Sequence, residues 1–200
     1  MDEEIIKERN SKYCYQNSNT LINKLEIKDQ ATLQKYEARI TAAKSLALRQ
    51  KGITGNFDKN HFVSIHKYIF EDIYPFAGKF RTENIAKGYF RFAEWEYIEE
   101  ELDKLLLKLK NENYLKEKSE EELAKALAYY MSELNVLHPF REGNGRTIRE
   151  FIRQLALKNG YILNLKKVEP QKMLNASIKS IIDTEELENI IKICLEKIEK

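Results

Sequence analysis

The sequence predicts a mainly helical, all-α protein, and three observations support that fold class. Only 7 glycines and 3 prolines interrupt its 200 residues. Over long stretches the apolar residues recur three and four positions apart, which is the spacing of an amphipathic helix rather than the alternation of a strand. Residues that favour helix starts and ends bound these stretches. Since no internal repeat or low-complexity linker divides the chain, we expect one domain over residues 1–200.

The first two helices are predicted from their capping residues. The carboxylate of Asp29 suits a first N-cap, and Gly52 ends the apolar pattern that follows it. Asp58 suits a second N-cap, and the helix after it is expected to end near Pro75. The apolar positions are Leu33, Tyr36, Ile40, Ala43 and Ala47 in the first helix and Phe62, Ile65, Ile69 and Ile73 in the second.

The middle of the chain predicts two more helices. One has apolar residues at helical spacing between Ile98 and Leu109. The next opens with a capping box formed by Ser119 and Glu122, and it must stop before Pro139, because a proline disfavours helical geometry at the preceding residue. Two or three further helices are expected in the C-terminal third.

One segment, between Gly78 and Ala93, departs from the helical pattern. Its aromatic residues flank Lys87 and Gly88, and glycine supplies the positive φ that a tight turn needs. A short β-hairpin is one interpretation, and an irregular loop whose aromatic side chains pack on the helices is the other. Because an isolated hairpin has marginal stability, we expect a hairpin here to be an edge that binds something.

Charge and cysteine content argue against several classes of protein. Lys and Arg number 34 against 32 Asp and Glu, a net charge of +2, which disfavours direct nucleic-acid binding. Cys14 and Cys194 lie far apart, outside the spacing of a zinc site or a disulfide framework, which favours a reducing cytoplasm. The first ten residues lack the apolar stretch of a signal peptide, and no apolar run approaches the roughly 20 residues of a membrane span. We therefore expect a cytoplasmic protein without membrane contact.

The segment LHPFREGNGRTIREF, residues 137–151, concentrates groups suited to phosphate chemistry. Gly143, Asn144 and Gly145 precede a stretch of helical spacing, and backbone amides that converge at a helix N-terminus bind anions. Arg146 and Arg149 lie about one turn apart on that predicted helix, so they are expected to project from the same side and to hold further phosphates.

Two further side chains, which precede Gly143 in the sequence, are a candidate base and a candidate metal ligand. His138 is placed to take a proton from a hydroxyl group, and Glu142 can supply an oxygen to Mg²⁺ that bridges phosphates. Each feature alone has a structural interpretation, since a lone histidine is usually structural and a short Gly-x-Gly is usually a turn. The segment is not a P-loop, because the lysine of that motif is missing, and Pro139 rules out the helical His pair of a zinc protease. The conjunction of these groups favours a catalytic site.

These residues resemble a known motif. HPFREGNGRTIR matches the Fic motif, HPFx[D/E]GNGRxxR, at every defined position, and the similarity extends to YQNSNTLINKLEIKDQATLQKYEARIT and IFEDIYPFAGKFRTENIAKGYFRFA. The resemblance implies a mainly α-helical Fic fold with a hairpin flap. It also implies a protein adenylyltransferase, an enzyme that transfers AMP from ATP to a Tyr, Ser or Thr hydroxyl of a target protein.

The resemblance also implies a role for each residue of the motif. It makes His138 the base and Phe140 the anchor of the loop in the core. Glu142 would bind Mg²⁺, Gly143, Asn144 and Gly145 would form the anion hole, and Arg146 and Arg149 would hold the β- and γ-phosphates. The flap would pair with an extended segment of the target through Asn84, Ile85, Ala86, Lys87, Gly88, Tyr89, Phe90, Arg91 and Phe92.

A second resemblance lies near the C-terminus. Thr184, Glu188 and Asn189 fit the motif [S/T]xxxE[G/N] of autoinhibited Fic proteins, on a helix expected over about 183–199. It implies that Glu188 pairs with Arg149, occupies the space of the γ-phosphate, and in some relatives assists removal of AMP. The alternative is that the acidic residues here only stabilise the start of a helix.

Two rival functions stay open. A Doc-like kinase on the same fold replaces the GNG segment, whereas this chain keeps Gly143, Gly145 and Arg146, which favours AMP transfer. A non-catalytic protein-binding module is the other rival. By analogy with related bacterial proteins, a type II topoisomerase subunit is the expected target, and self-association that holds the inhibitory helix in place is a further expectation.

Overall fold

The computed structural model describes residues 11–88 and 90–199. Helices dominate this part of the chain, which confirms the predicted fold class. The α-helices are α1 Gln30–Lys51, α2 Lys59–Phe70, α3 Ile98–Asn111, α4 Glu120–Leu137, α5 Asn144–Lys158, α6 Pro170–Lys179 and α7 Glu185–Cys194. The strands are β1 Ala86–Lys87, β2 Phe90–Arg91, β3 Tyr161–Leu163 and β4 Leu195–Lys197, and short 3₁₀ turns lie at Trp95–Tyr97, Asn113–Leu115 and Leu165–Lys167.

The predicted helix starts are confirmed by their caps. The side chain of Asp29 accepts the backbone N–H of Thr32 at 2.8 Å, and Asp58 accepts that of His61 at 2.8 Å. Ser119 forms the full capping box with the residue three positions later. Each cap satisfies a donor that the first turn of a helix leaves without a partner, which stabilises a protein by about 1 kcal/mol.

Helix α4 lies at the centre of the structure and packs against α3, α5, α6 and α7. Its residues Leu127, Ala128, Tyr130 and Leu134 are fully buried in one apolar core. Burying a large apolar side chain stabilises a fold by roughly 1.5–3 kcal/mol. The buried side chains of α4 therefore hold this helix in a fixed position in the core. The C-terminus of α4 and the N-terminus of α5 meet at the loop 138–143, which this packing holds in place.

Two predicted helix ends are wrong. Helix α2 ends at Phe70 rather than near Pro75, because the backbone N–H groups of Ile73 and Tyr74 both turn back to the carbonyl of Phe70. Ile73 is buried all the same, which is why it fitted the apolar pattern.

The last helix, expected over 183–199, ends at Cys194 because the chain becomes extended as β4. Strand β4 pairs antiparallel with β3, with Leu163 opposite Leu195 and Tyr161 opposite Lys197. This small sheet had no predicted counterpart. Its strands are too short for a clear alternation of apolar and polar residues.

The hairpin interpretation of the segment before α3 is confirmed. Strands β1 and β2 pair antiparallel, with Ala86 opposite Arg91 and Lys87 opposite Phe90, and Gly88 adopts a φ of +58° at the turn. Tyr89, which was predicted as part of the flap, lies outside the described residues. Within the part of the chain that the structure describes, no helix is long and apolar enough to pass through a bilayer.

Candidate active site

The loop between α4 and α5 forms one wall of a small cleft, and the β1–β2 hairpin forms the opposite wall. The cleft is lined by Ile85, Ala86, Lys87, Phe92, His138, Arg141, Glu142, Gly143, Asn144 and Gly145. Residues that are about fifty positions apart in the sequence therefore meet here. The structure places the predicted base, the predicted metal ligand and the Gly-Asn-Gly segment next to the flap.

His138 follows the last residue of α4 in a left-handed conformation, with a φ of +45°. Its ring stacks on Phe92 of the flap with 3.9 Å between centroids, and its Nδ1 lies 3.2 Å from the carbonyl oxygen of Asn135. Because a carbonyl can only accept, Nδ1 carries the hydrogen and Nε2 keeps a lone pair. Burial, and to a lesser extent the charges of Arg81 and Lys87, lowers the pKa of His138 to about 4. The ring is a neutral base at physiological pH.

The N-terminus of α5 is open to an anion. Gly143 precedes the helix with a φ of +84°, and no side chain caps it. The N–H groups of the first turn, beginning with Asn144 and Gly145, therefore lack intrahelical partners and are available to a phosphate. A Cβ on Gly143 would lie 2.3 Å from the ring of Phe70, so both the backbone conformation and the packing require glycine.

The side chain of Asn144 closes the loop instead of facing the cleft. Its Oδ1 accepts the N–H of Phe140 at 2.8 Å, and its Nδ2 donates to the carbonyl of Phe140 at 2.7 Å. Asn144 is 2% exposed, and the ring of Phe140 is fully buried. Of the three residues predicted to form the anion hole, Asn144 therefore has only its backbone N–H to offer.

His66 supports the same loop from below. It stacks on Phe140 with 3.7 Å between centroids, accepts the N–H of Gly78 on Nδ1 at 2.8 Å, and donates from Nε2 to the carbonyl of Glu142 at 2.9 Å. Burial lowers its pKa to about 4. Both nitrogens are bonded, so His66 has a structural role.

Arg146 is held by side chains from two helices. Its guanidinium donates to Glu37 at 2.5 Å and to Thr41 at 3.1 Å, both on α1, and to Glu142 at 3.3 Å. It also lies 4.7 Å over the ring of Phe70. The α1 residues were not predicted as part of the site. They share no motif with the segment 137–151, and only their four-residue spacing on α1 would place them on one face.

Glu142 fits the requirements of a magnesium ligand. Its Oε1 accepts the N–H of Gly143 at 2.9 Å and the contact from Arg146, whereas its Oε2 makes no hydrogen bond with the described residues. Among these residues there is no cluster of three or more His, Cys, Asp or Glu side chains that would hold a metal alone. Mg²⁺ is usually bound by one or two carboxylates together with substrate phosphates, so one free carboxylate oxygen is sufficient.

Arg149 differs from Arg146 in having an exposed side chain without a hydrogen bond or ion pair among the described residues. It lies against the start of α5, because a Cβ on Gly145 would be 3.0 Å from its Nη1. The guanidinium is therefore close to the open N–H groups and available to a phosphate.

The expected ion pair between Glu188 and Arg149 is not formed. Glu188 instead accepts a hydrogen bond at 2.6 Å from the hydroxyl of Thr184, one turn earlier on the same helix segment. Helix α7 packs mainly on α4. Asn189 is exposed. In the structure the hydroxyl and the carboxylate of the predicted inhibitory motif therefore bond to each other at the start of α7.

Comparison with known proteins is consistent with this geometry. The model of the Fic/DOC family matches residues 56–156. The protein adenylyltransferase VbhT of Bartonella schoenbuchensis is 41% identical over 178 residues, which are 89% of this chain but 37% of that protein. The probable protein adenylyltransferase y4lH of Sinorhizobium fredii is 35% identical over 168 residues, and the match covers 84% of this chain and 86% of that protein.

Solved structures show the same architecture. The N-terminal Fic domain of a putative cell filamentation protein from Bartonella quintana, with bound ADP, superimposes with a TM-score of 0.88 at 30% identity, covering 94% of this chain and 95% of that one. The BepC protein of Bartonella tribocorum, with bound AMPPNP, has a TM-score of 0.88 at 26% identity, covering 94% and 97%.

Position 143 requires glycine for two reasons, its left-handed backbone conformation and its close packing against Phe70, and a matched glycine can separate them. Gly160 has almost the same φ, +83° against +84°, but a Cβ there would meet nothing within 4 Å. Gly160→Ala should therefore cost only the left-handed strain of roughly 1–2 kcal/mol in the free energy of unfolding. Gly143→Ala should cost that plus about 1–3 kcal/mol for overpacking against Phe70. Chemical denaturation measures both, and equal losses would refute the close contact.

Proposed function

The chain belongs to the Fic/DOC family. Because its relatives VbhT and y4lH are named protein adenylyltransferase and probable protein adenylyltransferase, we propose that it transfers AMP from ATP to a hydroxyl group of a target protein. The observation that carries this proposal is the neutral imidazole of His138 in the same cleft as the open N-terminus of α5. One group accepts a proton and the other binds a phosphate. Together they are the two components that nucleotidyl transfer to a hydroxyl requires.

In the proposed reaction His138 is the general base. Its Nε2 takes the proton of the target hydroxyl while the hydroxyl oxygen forms a bond to the α-phosphorus of ATP. The bond from that phosphorus to the bridging oxygen of the β-phosphate breaks, and pyrophosphate leaves with the electron pair. A base in this position contributes roughly 10²–10⁴-fold to the rate.

The phosphates are proposed to lie along the start of α5. The unpartnered N–H groups and the partial positive charge of the helix end would bind one phosphate, and Arg146 and Arg149 would neutralise others. Glu142 would hold Mg²⁺, which neutralises phosphate charge and polarises the phosphorus–oxygen bond when bound. The related Bartonella structures contain bound ADP and AMPPNP, which supports a nucleotide as the substrate.

The flap is proposed to dock the target. Strands β1 and β2 pair only with each other among the described residues, so each leaves one edge of unpaired backbone groups. An extended target segment can add to such an edge with main-chain hydrogen bonds. A bacterial cytoplasmic target, with a type II topoisomerase subunit as the first candidate, and self-association of the chain remain predictions.

AMP transfer is tested with purified protein, Mg²⁺, α-labelled ATP and either bacterial lysate or isolated topoisomerase subunits. We expect wild type to place label on protein. His138→Ala should lose about 10²–10⁴-fold in labelling rate but still bind AMPPNP, since the base is not a phosphate ligand. Arg149→Ala should lose AMPPNP binding and labelling together.

Arg39 is one of the exposed arginines of α1, and Arg39→Ala is the matched control, which should behave as wild type. Label from γ-labelled ATP alone would show a kinase instead. AMPPNP binding without label from either nucleotide would leave the non-catalytic binding module.

The pH dependence of transfer follows from the lowered pKa of His138. A base must be unprotonated, and a pKa of about 4 keeps it so well below the ordinary value of 6.5. The rate should therefore stay level from neutral pH down to about pH 5, instead of halving near pH 6.5. Phe92→Ala removes the stacked ring, admits water, and should move the acid limb to higher pH. A wild-type limb near pH 6.5 would contradict the assignment.

Autoinhibition through Thr184, Glu188 and Asn189 stays a prediction, and it carries a structural condition. The carboxylate of Glu188 would have to leave the hydroxyl of Thr184 and bond to Arg149 instead. A brake predicts that Glu188→Gly labels above wild type and that Thr184→Val, which frees the carboxylate, labels below it. A role confined to α7 predicts wild-type labelling and a lower melting temperature for both. The observed hydrogen bond favours the second result, which a labelling assay with thermal denaturation decides.

A further inference from the structure

Arg81 is a buried cation that forms no direct ion pair among the described residues, although the charges of Glu94 and Glu83 lie near enough to raise its pKa. Its residue is 1% exposed, and its guanidinium forms no ion pair there. It donates instead to four main-chain carbonyl oxygens. Nε donates to His138 at 2.9 Å, Nη1 to Glu83 at 2.8 Å, and Nη2 to Ala93 at 2.5 Å and to Leu137 at 3.2 Å.

These acceptors belong to two parts of the site. Leu137 and His138 are the end of α4 and the proposed base, whereas Glu83 precedes β1 and Ala93 follows β2, so they bracket the flap. Two backbone hydrogen bonds join the same two parts of the site. The N–H of Arg81 donates to Pro139 at 2.9 Å, and the N–H of Ala93 donates to the carbonyl of Val136 at 3.1 Å. One side chain thus joins both ends of the flap to the residue that takes the proton.

The geometry needs an arginine. The last carbonyls of a helix have no intrahelical partners, and α4 ends in a left-handed residue that turns the chain away. The planar fork of a guanidinium offers five donors in fixed directions and so reaches several carbonyls at once. A lysine would keep the charge but offers three donors on a flexible stem, which cannot match the same four acceptors.

The charge of Arg81 acts in the same direction as its hydrogen bonds. Burial lowers its pKa to about 10, so it stays protonated at neutral pH. Burial of the ring is the main cause of the lowered pKa of His138, and the charge of Arg81 adds to it. Arg81 therefore holds the proposed base in place and contributes to its unprotonated state.

We propose that Arg81 is a positioning residue for AMP transfer, one that fixes the flap and the imidazole of His138 at the separation that the target hydroxyl requires. The proposal rests on the transferase function proposed above. Arg81 is buried under the loop and its three nitrogens are already bonded to carbonyls, so it acts through His138 and the flap and not on ATP itself.

Arg81→Lys tests the proposal in the full chain, with Leu102→Ala on α3 as the matched control. Leu102 is fully buried away from the cleft lining, so its truncation lowers the melting temperature without touching the flap. Both variants are assayed well below their melting temperatures. Three quantities are measured: labelling from α-labelled ATP, the dissociation constant of AMPPNP, and hydrogen exchange of the flap and loop amides.

We expect Arg81→Lys to bind AMPPNP as wild type does and to lose about 10²-fold in transfer, the cost of a misplacement of the order of 1 Å. Exchange should accelerate at residues 84–92 and 137–139 and stay unchanged in α5. Leu102→Ala should retain wild-type transfer.

Wild-type transfer by a folded Arg81→Lys would overturn the proposal. An equal loss of AMPPNP binding and transfer would overturn it too, because it would show a general loosening of the loop. If Leu102→Ala lost transfer to the same extent, stability alone would explain the effect. If wild type itself placed no label on protein, the transferase function would be refuted, and this inference with it. That result is distinguishable from the failures of the proposal alone, because in those wild type still transfers AMP.

Discussion

The site depends on how the loop between α4 and α5 is closed. The side chain of Asn144 makes two hydrogen bonds to the backbone of Phe140, and the buried ring of Phe140 fixes the other end of the loop on His66. Because a side chain inside the loop does the closing, the backbone N–H groups at the start of α5 are not used for it. An ordinary N-cap such as Asp58 on α2 would occupy the position that is proposed here for an anion. The N-terminus of α5 is thus open because the side chain of Asn144 bonds to Phe140 and leaves the helix end uncapped.

Two histidines in this loop region show why a shifted pKa does not identify a catalytic residue. Burial lowers the pKa of both His66 and His138 to about 4. In His66 both ring nitrogens bond to the backbone, so the ring can neither give nor take a proton without breaking the loop. In His138 only Nδ1 is bonded, which leaves Nε2 with its lone pair. The free nitrogen of His138, rather than the pKa shift, therefore distinguishes the proposed base from the structural histidine.

Local features of the sequence predicted the fold and the inner part of the site. Contacts between residues far apart in the sequence could not be predicted from it. The caps at Asp58 and Ser119 need only neighbours three residues away, and the segment 137–151 holds its chemistry within one loop and one helix. Glu37 lies 109 positions from Arg146, and Arg81 lies 57 positions from His138, so neither contact leaves a trace in local spacing. The motif at Glu188 shows a second limit of local spacing. A hydroxyl and a carboxylate four residues apart on a helix also satisfy each other, and the spacing alone cannot separate that bond from a longer one.

The two motif arginines are prepared for phosphate in different ways. Arg149 is unpaired among the described residues, while Arg146 is shared by two carboxylates, 2.5 Å from Glu37 and 3.3 Å from Glu142. One cation against two anions leaves that cluster with a net charge of −1, which opposes a triphosphate. Of the two carboxylates, Glu37 is the more firmly held partner of Arg146. Its contact is shorter, and its side chain is 15% exposed against 35% for Glu142. A divalent cation on Glu142 would change the local charge from −1 to +1. Affinity for the β- and γ-phosphates near Arg146 should therefore follow the occupancy of Glu142, whereas Arg149 and the end of α5 attract phosphate without it.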